Sequence, residues 1–177
     1  MPTQTSPNSA TIVGSSELLP PRNAGRGRAL DSTGATQQVV WNGTSILVGG
    51  VPLFDLAYAP YLLDVAFDQL DRPQVSWQDS SGFTHLRFYD GTIPGYRILE
   101  LGNNAAYPAI CNDYALEGGV NTVIVYVKSG YPTYRIQQDR FTIEYRLYEQ
   151  VIPGIKRFGY GVTTNSIQIV IGEPDAT

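Results

Sequence analysis

The chain has 177 residues, 42% of them hydrophobic, with 16 acidic against 12 basic side chains and a formal net charge of −4. That composition fits one domain with its own core, or one domain plus a tail. It argues against a protein that embraces nucleic acid, since such proteins are as a rule strongly basic. Cys111 is the only cysteine, which excludes an intrachain disulfide. No apolar run approaches the ~18 residues that cross a bilayer, so no membrane partner is expected.

Residues 1–38 are rich in Ser, Thr, Pro, Gly and Asn. They read as an extended N-terminal arm ahead of a single β-rich domain, residues 39–177. The opening MPTQTSPNSATIVGSS has neither the basic nor the apolar region of a secretory signal, so synthesis in the cytoplasm is expected. Ordering each backbone residue costs roughly 1–2 kcal/mol, and the arm has little apolar surface to offset that. Its short runs Thr11-Ile12-Val13 and Leu18-Leu19 are candidate anchors against another surface. Arg22, Arg26 and Arg28 stand together with no acid between residues 18 and 30, whereas residues 39–177 carry 9 basic and 14 acidic side chains. Guanidinium groups pair well with carboxylates. Leu18, Leu19, Arg22, Arg26 and Arg28 are therefore the candidate partner-binding residues, with acidic patches of a neighbouring subunit as their target. The bland alternative is that the arginines only solubilise a tail.

From Gln38 the pattern changes. Val39–Trp41 and Ser45–Val48 flank Asn42-Gly43, a strong hairpin signal; the Asn42-Gly43-Thr44 glycosylation motif is read as this turn. Residues 54–70 hold the one short helix expected. Pro60 suits a first helical position, Leu62, Leu63, Ala66, Phe67 and Leu70 share one helical face, and Asp64, Asp68 and Asp71 share the other. Gln74–Gln78 and Phe83–Tyr89 are strands around the turn Asp79–Gly82, and Tyr96–Leu101 is another. Residues 102–119 read as loop, with a helical turn around Asp113–Leu116 as the alternative. Thr122–Lys128 is a run of β-formers suited to burial on both faces. Tyr134–Gln138 is a short strand. Phe141–Glu149 alternates strictly, with Phe141, Ile143, Tyr145 and Leu147 inward and Glu144 and Arg146 outward. Ser166–Ile171 is the last strand. About eight strands with Gly/Pro punctuation predict an all-β body, an antiparallel sandwich or barrel.

The search for chemistry yields no catalytic motif, and the chain is read as non-enzymatic. His85 is the only histidine. A triad-type unit would need a nucleophile and an orienting acid beside it, and its nearest acids, Asp79 and Asp90, occupy flanking turns. One Cys and one His do not make a zinc site. Asp64, Asp68 and Asp71 would form a helical stripe, whereas calcium loops wrap their ion. No cofactor is expected. Trp41, Trp77 and the 12 tyrosines offer two readings: core and strand packing, or stacking platforms for sugars.

The arm segment PPRNAGRGRALDSTG and the strands VIVYVKSGYPTYRIQQDRFTIEYRLYE give the chain a resemblance to small structural proteins of tailed-bacteriophage particles: capsid decoration, neck, tail and fibre-attachment subunits. The resemblance is one of overall style and assigns a role to no individual residue. It implies a virion subunit that contacts copies of itself and other virion proteins, closing with point symmetry. The competing reading is a carbohydrate- or receptor-binding β-sandwich.

Overall fold

The computed structural model describes residues 10–14, 27–91, 95–113, 121–161 and 166–171. These form four β-sheets. β1 (Ala10–Gly14) belongs to the last of them. β2 (Arg28–Leu30), β3 (Thr36–Trp41), β4 (Ser45–Val48) and β5 (Val51–Asp55) make the first, antiparallel in chain order. β6 (Tyr61–Phe67), β7 (Pro73–Gln78), β8 (Thr84–Tyr89) and β9 (Tyr96–Gly102) make the second in the same manner. The third comprises β10 (Ala105–Asp113), β11 (Asn121–Lys128), β12 (Tyr131–Ile136) and β13 (Tyr145–Arg146), with one 3-10 turn at Gln137–Asp139. In the fourth, β14 (Ile155–Gly161) pairs antiparallel with β15 (Ser166–Ile171), and β1 adds to β15 in parallel.

Three apolar clusters separate the four sheets. Val39, Ile46 and Val48 of the first sheet meet Val65, Phe67, Val75 and Trp77 of the second. Ala66, Leu86 and Phe88 on the reverse of the second meet Ile110, Ile124 and Tyr126 of the third. Ala109, Cys111, Val123, Val125 and Tyr134 on the reverse of the third meet Ile155, Phe158 and Ile169 of the fourth. Successive side chains of a strand point to opposite faces, so the inner strands of the two middle sheets are buried on both faces, as β7 and β11 are. Val123 and Val125 serve one cluster while Ile124 and Tyr126 serve the next, and the run TVIVYVK is buried on both faces as its composition predicts.

The expected helix is absent. Its residues form β5, β6 and the hairpin turn after β6. The helical spacing arose because a strand buried on both faces is apolar at consecutive positions, which periodicity cannot tell from a helix stripe. The polarity departs from the expectation in part: Ala66 and Phe67 are buried and Asp71 exposed as expected, but four positions are inverted. Asp64 and Asp68 are buried, whereas Leu62 and Leu70, assigned to the core, are exposed. Among the described residues the 3-10 turn is the only helical element. Two further expectations change. Residues 105–113 form β10 rather than loop, and of Phe141–Glu149 only Tyr145–Arg146 pairs as strand. Arg140 and Phe141 adopt left-handed φ values of 57° and 58°, which turn the chain before it can run as a ladder.

One turn recurs at three hairpins. In each, an aspartate Oδ1 accepts the backbone N–H two and four residues on: Asp31 from Thr33 and Ala35, Asp68 from Leu70 and Arg72, Asp79 from Ser81 and Phe83, all at 2.9–3.0 Å. The fourth residue is left-handed each time, at Gly34, Asp71 and Gly82. That is the geometry of a type I turn followed by a left-handed residue.

Asp64 is fully buried. Its Oδ1 accepts the N–H of Gly27 at 3.1 Å and its Oδ2 accepts the N–H of Ile110 at 2.9 Å. One carboxylate on β6 thereby joins the entry to the first sheet, the second sheet and β10 of the third. Gly27 has φ +67°, and a Cβ there would stand 3.2 Å from the Leu63 carbonyl oxygen. A second polar seam runs between the middle sheets. Thr122 donates its hydroxyl to Gln74 (2.6 Å) and its N–H to Gln137 (3.1 Å), and Gln137 donates to Asp68. Asp68 also receives Nε of Arg72 at 2.7 Å. The Arg72 guanidinium lies 3.8 Å from the centre of the Tyr89 ring.

Replacing Asp64 by Ala orphans two buried N–H donors, so a loss of about 3 kcal/mol is expected from urea unfolding. Asp64→Asn, which keeps one acceptor, falls between Ala and wild type, and Gly27→Ala costs about 1–2 kcal/mol through its left-handed φ. Burial pushes the Asp68 carboxyl up, but the Arg72 side chain and the turn amides outweigh this and hold it below its ordinary value of 3.8. A lowered folded-state pKa gives stability that is present above the unfolded value and lost as pH falls through the folded one. The stability gap between wild type and Asp68→Asn is therefore widest near neutral pH and narrows below about pH 4, as urea midpoints across the acid range will show.

Candidate functional site

The sequence-derived candidates divide sharply. Leu18, Leu19, Arg22 and Arg26 lie outside the described residues. Arg28 is in β2, half-buried and opposite Gln38; residues 27–38, expected to belong to the arm, are thus part of the first sheet. The Thr11-Ile12-Val13 run sits in β1, paired in parallel register from Ala10↔Ile167 to Gly14↔Ile171. It is held to β15 through main-chain bonds, the general mode by which an extended segment adds to a sheet edge.

Near the β2–β3 turn lies a recess of about 370 Å³, lined by Asp31, Gln37, Val48, Val51, Leu53, Phe67, Asp71 and Pro73. Three elements build it: the Asp31 turn, the β4–β5 turn and the β6–β7 turn. Its walls are apolar and Val51 is largely exposed. Two carboxylates mark its rim. Asp31 Oδ2 accepts the Gln37 amide at 2.7 Å, and Asp71 accepts both the N–H (2.8 Å) and the hydroxyl of Ser32. The Thr33 hydroxyl and the Gln37 amide hold the Asp31 carboxyl below its ordinary range, so it is charged at neutral pH. A Cβ on Gly49 would stand 2.0 Å from Gln37 Oε1, and Gly49 has φ +58°; the glycine lets Gln37 lie across the rim. An apolar recess with anionic edges suits an aliphatic group with a cation next to it. Periodicity does not reveal this recess, because it is assembled from three turns distant in sequence.

The residues weighed for chemistry have other employment. His85 Nε2 is 3.0 Å from Asp79 Oδ2, and its ring stacks on Trp77 with centroids 5.1 Å apart. Cys111 is buried in the third cluster. Asp64, Asp68 and Asp71 spend their oxygens on separate partners, and among the described residues no three His, Cys, Asp or Glu side chains converge as metal ligands. Trp77 is buried in the first cluster and offers no face to a sugar, while Trp41 donates its indole N–H to the Leu56 carbonyl at 3.2 Å. Glu144 and Arg146 are both exposed, as the alternation expects, whereas Ile143, expected inward, is exposed too; Glu144 accepts Tyr126, Lys128 and Arg135 at 2.8, 2.7 and 3.2 Å. Among the described residues no helix is long and apolar enough to cross a membrane. Comparison with protein-family models, with curated proteins and with solved structures returned no match.

Proposed function

We propose that this protein is a non-enzymatic structural subunit of a large assembly, whose N-terminal arm docks on neighbouring subunits. Its stacked sheets are read as an extended β-sandwich. The small structural proteins of tailed-bacteriophage virions, which the chain resembles in style, are the class that fits best, and the virion is then its location. The observation that carries the reading is the pairing of β1 with β15. A strand separated from its ladder partner by nearly the whole chain is held by main-chain bonds that a strand from another copy makes equally well. Exchange of an identical element between protomers is a low-cost route to oligomers. The acidic-rimmed recess supports the same reading, because the segment Leu18-Leu19-Pro20-Pro21-Arg22 offers two aliphatic side chains followed by a guanidinium. Two consecutive prolines lack the N–H groups of a strand ladder, so that segment suits side-chain docking better than strand addition.

The test compares the full chain with a variant lacking residues 2–26, by light scattering after size-exclusion chromatography. The full chain is expected to form a concentration-dependent homo-oligomer. The shortened chain is expected to lose that oligomer while keeping a cooperative urea transition, its far-UV circular dichroism falling only by the five residues of β1. A full chain that stays monomeric at every concentration, or a shortened chain that assembles as well as the full one, refutes the proposal.

A further inference from the structure

Where the second and third sheets meet, a second recess of about 260 Å³ opens between β8, β9, β12 and the segment after the 3-10 turn. Its character is opposite to that of the first. Three arginines line it, Arg97, Arg135 and Arg140, and among the described residues no carboxylate does. In a chain with more acids than bases, this places three of the 12 basic side chains around one small opening.

The site is held in shape before any ligand arrives. The Arg135 side chain is only 16% exposed. It donates Nε to the Tyr126 hydroxyl (3.0 Å), one terminal nitrogen to the Phe141 carbonyl (2.9 Å) and the other to Glu144 (3.2 Å). Those bonds fix the plane of its fork and leave further N–H groups on its terminal nitrogens. Arg97 is more than half exposed and is steered by the buried Asp90 at 2.9 Å. The floor is apolar: Phe88 and Phe141 meet edge to face with centroids 5.0 Å apart, and Ile98 stands exposed at the mouth.

The backbone supplies an independent sign. Arg140 and Phe141 are consecutive non-glycine residues in the left-handed region, a conformation that costs about 1–2 kcal/mol at each. Backbone strain of this kind clusters at ligand-binding sites, where the surrounding structure maintains it. Here it sends Phe141 into the floor and Arg140 to the rim.

We propose that this recess binds an organic oxyanion: a carboxylate or phosphate carried on a body the size of one sugar ring. Forked guanidinium groups match either oxyanion with paired hydrogen bonds, and the exposed Ile98 at the mouth offers apolar surface to the carbon body. The volume lies just below the range of about 300–1,000 Å³ usual for small-molecule pockets, which admits a single ring and excludes an extended chain. The proposal stands apart from the arm, since none of its residues belongs to the arm or to the acidic recess.

Four probes are titrated into the full chain by calorimetry: glucuronate, glucose 6-phosphate, neutral glucose and inorganic phosphate. At least one of the two charged sugars is expected to bind, more weakly as salt rises, with glucose silent; which of the two binds tells carboxylate from phosphate. Arg140→Gln alters a rim position and should weaken binding at least tenfold with an unchanged melting temperature; Arg97→Gln should weaken binding as much but also lower the melting temperature, because it takes the ion-pair partner from the buried Asp90. Three results overturn the proposal: neither charged sugar binds, inorganic phosphate binds as tightly as the charged sugar, or both variants bind like wild type. A chain that binds a charged sugar yet stays monomeric would refute the assembly reading alone.

Discussion

The architecture depends on one buried carboxylate. Asp64 has no exposed surface, and stripping the water from an ionised group is costly unless hydrogen bonds replace it. Two main-chain N–H groups do so, one from Gly27 and one from Ile110. Charge-assisted bonds of this kind are roughly twice as strong as neutral ones. Apolar contacts would let the sheets slide over one another at little cost, because hydrophobic burial is not directional. The Asp64 bonds are directional, and they define how the first, second and third sheets sit relative to each other. The bulge before Asp64 serves the same end. Register slips between Tyr61 and Asp64, with Leu62 at φ +47°, and bulges re-aim the side chains that follow them.

Much of the body was legible in the sequence. The Asn42-Gly43 hairpin, the Asp79–Gly82 turn and the doubly buried strand at Thr122–Lys128 each carry a local signal that tertiary structure does not override. The helix error is more instructive. Asp68 and Asp71 make the same turn as Asp31-Ser32-Thr33-Gly34 and Asp79-Ser80-Ser81-Gly82. The β6–β7 version replaces the glycine by Asp71, the second-position serine by Gln69 and the hydroxyl residue of the third position by Leu70, so the usual turn composition is missing while the hydrogen bonds remain. Asp64 misleads for a different reason. A polar residue in an apolar run looks like a solvent face unless its partners are known, and those partners lie 37 and 46 residues away. The strand expected at Phe141–Glu149 fails because Phe141 is drawn into the second cluster. Neither recess was legible, since each is assembled from segments that only the fold brings together.

The two recesses divide the charge of the molecule between them. One sets Asp31 and Asp71 around aliphatic walls; the other sets three arginines around phenylalanine rings. Opposite fields at separate places give specificity, because like charges repel the wrong partner at each.

Sheet edges complete the case for the arm. An unpaired edge invites any extended segment, and folded proteins blunt such edges. β2 and β13 are only three and two residues long. β5 carries Pro52, whose ring removes a ladder donor. β9 sets Arg97 and Glu100 along its exposed run. β15 has a regular six-residue span, SIQIVI, which carries neither proline nor charge. What covers it on one side is β1, through an unbroken five-residue parallel register. An edge of this kind must be paired by something, and the chain supplies the matching strand at the end of a connection twelve residues long between Gly14 and Gly27. The strand that fills the slot is specified by the pairing, whereas the molecule that donates it is specified only by the reach of that connection. Pairing within one copy and pairing between copies therefore share the same local bonds, and the effective concentration that the connection sets for its own strand is what separates the two.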